Sequence, residues 1–160
     1  MFLLSFRYAG DWTKYKSVAG HFSIDFPGQP TETAEDDTSD NKIPFVIHFV
    51  TYFPNDSEGF MTDWIDLEKI YPEKKTIKQL LEASRDGAIQ SVSATYVNTT
   101  AIYLGKEPYI EFAFTNKEVA GKGRIYIINR FQYSIITLFS LETGISPDAD
   151  RFIRSFKHLQ

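Results

Sequence analysis

Apolar and polar residues alternate with period two through most of this chain. Phe22, Ile24 and Phe26 fall on one side of a segment whose other side carries His21, Ser23 and Asp25, the pattern of a strand with one buried face. Pro27-Gly28-Gln29-Pro30 ends it, because proline lacks a ladder donor and glycine supplies turn geometry. Residues 12–18 read as an opening strand. In residues 43–53, Phe45, Ile47 and Phe49 alternate with Val46, His48 and Val50; both sides are apolar, which places this strand inside a sheet. Residues 54–59 read as a turn and 60–67 as a more polar strand. Four more strands follow at 96–104, 109–117, 124–128 and 131–141. Asn129-Arg130 stands where a two-residue hairpin turn would pair Tyr126 with Tyr133.

The alternation gives way twice. Ile77, Leu80, Leu81, Ser84, Ala88, Ile89 and Val92 recur at helical spacing and predict one apolar stripe. Thr62 and Thr76 each offer a start, but Pro72-Glu73 is the expected one. Gly87 inside this helix costs about 1 kcal/mol relative to alanine, so a bend or close packing is expected there. A second helix opens at Ser146-Pro147-Asp148, with a serine cap, a proline at the first helical position and an acid in the first turn. Phe152, Ile153, Phe156 and Leu159 supply its apolar side. Strands in two groups, each followed by a helix, predict an α+β fold: a single antiparallel β-sheet packed by two main helices in an αβα-type sandwich.

Composition narrows the functional classes. A chain of 160 residues, 42% apolar and 16% aromatic, is sized for one domain and too apolar to stay disordered. Without cysteine it has no disulfide, thiolate metal site or cysteine nucleophile. No run reaches the roughly 18 apolar residues of a membrane-crossing helix. The apolar start Met1-Phe2-Leu3-Leu4-Ser5-Phe6 is too short for a signal peptide and lacks a preceding basic residue. The expected division is an N-terminal segment at 1–11, disordered or a leader remnant, and one domain at 12–160. Localisation follows the same alternative: cytoplasmic as written, extracytoplasmic if a leader was removed or lies upstream.

The net charge of −4 is concentrated. Glu32, Glu35, Asp36, Asp37 and Asp40 fall within residues 31–41 with no basic residue among them, leaving 16 acidic side chains against 17 basic ones elsewhere. Nothing forms the basic stripe that nucleic acid requires, so nucleic acid is not an expected partner. The acidic stretch reads as a loop whose charges keep a sheet edge from pairing with a neighbour; its functional alternative is a patch for a basic partner or a weakly held cation.

Candidate chemistry is sparse. His21, His48 and His158 are not spaced as metal ligands, and His48, among valines on a strand, is the strongest of them. Asp63 and Asp66 stand at odd spacing, so with Glu68 they read as solvated groups at a strand end rather than calcium ligands. Ser155 lacks a triad motif and reads as packing. Asn55 and Asn98 begin short matches to the glycosylation pattern. Arg124 and Arg130 frame Tyr126 and Tyr133 as a cationic and aromatic surface of the kind enriched at protein interfaces.

Tyr15, Lys16 and Ser17 lead to Gly20, Phe22, Ser23, Ile24, Phe26, Pro27, Gly28 and Pro30. Leu81 with Arg85-Asp86-Gly87, Leu104-Gly105 with Pro108, Arg124 to Arg130 with Tyr133, and Phe152 with Ser155-Phe156 follow in order. This succession, over residues 15–157, resembles the PsbP-like fold shared with the Ran-binding nucleotide-release factor family, and is most similar to its small bacterial members of unknown function. The resemblance implies a fold and a mode of use, small non-catalytic modules that bind other proteins. It transfers no functional residue and no cofactor, since the matching positions are turn glycines, prolines and core aromatics.

The expected function is a non-catalytic accessory or protein-binding module that docks a partner through a sheet face or the hairpin around Tyr126 and Tyr133. Two alternatives stand beside it. One is a small-ligand carrier with an aromatic-lined cavity between sheet and helix, carrying a few polar groups. The other is a hydrolase, which would bring His48 or His21 together with a carboxylate and a hydroxyl.

Overall fold

The alternating segments assemble into two antiparallel sheets rather than one. A computed structural model describes residues 11–70 and 74–160. The smaller sheet has the order β1-β2-β10, from Thr13–Ser17, Phe22–Phe26 and Lys157–His158. The larger has seven strands in the order β3-β4-β5-β9-β8-β7-β6. Its members are β3 (Thr31–Thr38), β4 (Pro44–Asn55), β5 (Glu58–Asp66), β6 (Tyr96–Tyr103), β7 (Tyr109–Thr115), β8 (Val119–Ile128) and β9 (Phe131–Ser140). Helix α1 (Ile77–Ser91) packs on one face of the large sheet, against β7 and β8; α2 (Ala149–Ser155) and the small sheet share the other.

The expected single sheet with two main helices is therefore wrong. Phe22, Ile24 and Phe26 do not join the large sheet: they are fully buried against it, with Phe22 edge to face with Tyr133 and Phe26 tilted against Phe152 of α2. The helices described are short, 15 and 7 residues. The second stops because Phe156 turns to extended backbone (φ −58°, ψ 133°), and Lys157 and His158 then pair with Ser23 and Phe22 as β10. Helical spacing of Phe156 and Leu159 with Phe152 was thus coincidental. Ser146 lies before the helix, whose N-cap is Asp148; the Ser146 hydroxyl accepts from the Asp148 N–H (3.2 Å).

At α1 the cap is Thr76, in a reciprocal capping box with Gln79. Those two bonds satisfy donors that would otherwise be orphaned at the first turn; the expected start at Pro72-Glu73 lies outside the described residues. Residues 31–38 are a strand, not a loop, since their backbone pairs with β4 from Thr31 opposite Thr51 to Thr38 opposite Pro44. Strand β8 begins at Val119, five residues before the expected start. Gly121 and Gly123 hid that beginning, but both are required: a Cβ at either would overlap the Phe114 or Phe112 ring and the β9 backbone. Glycine in a strand often marks such a close approach. The hairpin register is as expected, with Tyr126 opposite Tyr133 and Asn129 in the turn at φ 55°.

Between the two sheets lies an aromatic core. Phe152 meets Phe26 at 4.9 Å and Phe60 at 5.3 Å, and Phe156 stacks on Tyr126 at 4.7 Å. Such pairs add about 0.5–1.5 kcal/mol each beyond their buried area. The Tyr133 hydroxyl donates to the Gly20 carbonyl (2.8 Å). Ser155 accepts from the Asp25 N–H (2.9 Å) and donates to the Phe152 carbonyl (2.7 Å), fastening α2 to β2.

Candidate functional site

Alternation on β4 sends Val50 to the small-sheet side and Phe45, Ile47 and Phe49 to the α1 side. Helix α1 does not cover them. Its large side chains, Leu80 and Leu81, pack over Ile110, Phe112, Ile125 and Ile127, so the helix sits toward β7 and β8. What it turns toward β4 and β5 is the row Ser84, Gly87, Ala88 and Ser91, at the spacing of one helical face. Small side chains leave a gap, and a groove of about 390 Å³ runs between helix and sheet. Phe45, Ile47, Phe49 and Ile65 form its apolar wall. Gly87 has open space where a Cβ would stand, so the close packing expected of it is not what it serves.

Polar groups converge on the same groove. Asp63, on β5 opposite Phe49, accepts a hydrogen bond from the Ser134 hydroxyl of β9 (2.9 Å). Gln132, one β9 pleat away, accepts from Ser84 of α1 (2.6 Å). Burial pushes the Asp63 carboxyl up to about 7, against the lowering effect of the Ser134 bond. Desolvation penalises the charged form, and here it outweighs one neutral hydrogen bond.

A second concavity lies at the end of the molecule that holds the β8–β9 turn. His48 lies flat on Trp64 at 4.0 Å, and Trp64 and His21 each contact Phe131. Cavities of about 380 and 430 Å³ share His21 and Phe131, the first reaching His48 and the second His158. Burial lowers the His158 pKa, with Glu107, 4.0 Å away, opposing the shift. All three histidines thus come to one end, although their sequence spacing gave no hint of it. Among the described residues, no cluster of three or more histidines and carboxylates is arranged to hold a metal.

The residues singled out for an interface divide between two places. Arg124 donates to Glu111 (2.5 and 3.0 Å) and to the Tyr126 hydroxyl (2.9 Å), lying over Tyr109. Arg130 bridges Asp66 (2.6 Å) and Glu68 (3.0 Å) above Phe131. Tyr126 and Tyr133 are buried between the sheets. Glu32, Glu35, Asp36 and Asp37 stand exposed on edge strand β3, and Asp40 in the turn after it. Asp63 was set aside with Asp66 and Glu68 as a solvated group; the three part, Asp63 to the groove and the other two to Arg130. A carboxyl in the alternation phase of Met61 and Ile65 was the available signal.

Neither the models of known protein families nor the curated proteins contain a match to this chain.

Proposed function

We propose that this protein is a non-catalytic binding module that holds a small amphipathic ligand in the groove between α1 and strands β4 and β5. The uncovered apolar wall of Phe45, Ile47, Phe49 and Ile65, with Asp63 and Ser134 beside it, carries this reading. Volume and lining match a small-molecule site, mostly apolar with a few polar groups that set orientation. The resemblance drawn from the sequence implies modules that bind other proteins, so it bears only on the non-catalytic part of this reading. Titration with the neutral dye N-phenyl-1-naphthylamine tests it: fluorescence should rise with the native protein and fail to rise with Gly87→Leu, which fills the gap in α1. Equal dye binding by a folded Gly87→Leu protein would place the ligand elsewhere.

A protein partner is the second reading, and β3 favours it. All eight of its residues are exposed, among the described residues it is hydrogen-bonded on one side only, and its charges are acidic. A partner of basic character would meet this edge rather than the buried tyrosines of the hairpin. Neutralising Glu32, Glu35, Asp36, Asp37 and Asp40 together should then weaken capture of a basic partner at low salt, where charge attraction is least screened; unchanged capture removes the edge from consideration.

A further inference from the structure

The groove has a charge imbalance that an apolar ligand would not use. Among the described residues, its titratable lining groups are Asp63 and Asp37, and no basic residue lines it. Glu35, one pleat along β3 and opposite Ile47, lies in the same alternation phase as Asp37. Each described element around Asp63 withholds a counter-ion. Strand β4 places Phe49 opposite it, β9 offers Ser134 and Gln132, and α1 offers Ser84, Gly87, Ala88 and Ser91. Arg85, the cation of α1 closest in sequence to that row, is engaged by Asp86 (2.6 and 2.9 Å) and Thr99 (2.6 Å). A partly buried carboxyl beside Phe49, Ser134 and Gln132, with no cation next to it among the described residues, is a strong acceptor for a charged donor.

Resting on the binding reading above, we propose that the ligand is an amine with an aryl or alkyl body. Its ammonium group meets the Asp63 carboxylate and the Ser134 and Gln132 oxygens, and its apolar body lies on Phe45, Phe49 and Ile65. An ammonium carries three donors and no acceptor, which suits three converging oxygens. Carboxylate ligands are selected against, because they would bring a like charge to Asp63 and Asp37. Protonation of Asp63 removes the ammonium's partner, so affinity falls as pH drops through about 7. An apolar ligand without the charge would show no such loss.

Three probes of one chain length separate the possibilities: 4-phenylbutylamine, 4-phenylbutanol and 4-phenylbutyrate. Each is titrated by NMR into the native protein, Asp63→Asn, Asp37→Asn and Gly87→Leu. The amine should bind the native protein at least about tenfold tighter than the alcohol or the acid near pH 8, the increment expected of a charge-assisted hydrogen bond. That preference should vanish in Asp63→Asn, shrink in Asp37→Asn, and weaken about tenfold or more in the native protein near pH 5.5, where Asp63 is protonated. An alcohol that binds as well as the amine, or a preference that survives Asp63→Asn, overturns the amine while leaving the groove in place. Absence of binding by all three probes, or equal binding to Gly87→Leu, overturns the groove and the amine with it.

Discussion

The two faces of the seven-stranded sheet are made by alternate residues of the same strands, yet they are finished differently. Toward the small sheet, Phe60, Tyr133 and Ile135 are buried to 1% exposure or less beneath Phe22, Ile24, Phe26 and Phe152. Toward α1, the residues of β7 and β8 are equally well covered, but Phe45, Ile47 and Phe49 of β4 stay half-exposed. One face therefore carries the stability of the fold, whereas part of the other keeps apolar surface in reach of solvent. Exposed apolar area of this kind is retained at a cost, and grooves for ligands are where that cost has a use.

Substitutions on the two faces should separate these roles. Truncating Phe152→Ala opens a cavity in the sealed face and is expected to cost about 3–5 kcal/mol in urea unfolding. Phe49→Ala on the open face should cost well under half of that while abolishing dye binding; a comparable loss would mean that the groove wall is core. Asp63→Asn should act in the other direction and depend on pH. A native pKa of about 7, above the unfolded value of 3.8, makes the wild type most stable below pH 4 and progressively less so as pH rises through 7. The variant escapes this decline, so its advantage should be near zero at about pH 4 and grow to at most about 4 kcal/mol above pH 7. A pH-independent difference in thermal unfolding would show that Asp63 titrates normally.

Smaller effects refine the contrast. Tyr133→Phe leaves the Gly20 carbonyl without its donor between the sheets and should cost about 1–2 kcal/mol, measurable in the same urea series. Gly87→Ala meets no neighbour and should stabilise α1 by up to about 1 kcal/mol. Destabilisation there would mean that the helix needs the glycine's conformational freedom.

Most strands were legible because alternation is a local property: β2, β4, β5 and β9 follow directly from their apolar positions. Sheet membership was not, since nothing in Phe22-Ser23-Ile24-Asp25-Phe26 tells whether it pairs within a sheet or lies across one. Strand β3 was illegible for a related reason. Its carboxylates resemble a loop, and it is a strand only because β4 offers a partner with matching register. The groove was harder still. It results from an offset of α1 toward β7 and β8, a packing outcome that depends on Leu80 and Leu81 meeting residues that follow them in sequence by about thirty or more positions. Asp63 could have been suspected from its phase between Met61 and Ile65, but its partial burial needed Ser134 and α1 in place.

Strand β10 has a kinetic consequence. Asp25 and Ser155 are hydrogen-bonded across 130 positions of sequence, and β2 cannot gain its second neighbour until Lys157 arrives. During synthesis, Phe22, Ile24 and Phe26 must wait for almost everything that follows them, holding an adhesive surface without its lid. High contact order slows folding, and the waiting hairpin of β1 and β2 is where chaperone contact or aggregation of nascent chains should concentrate.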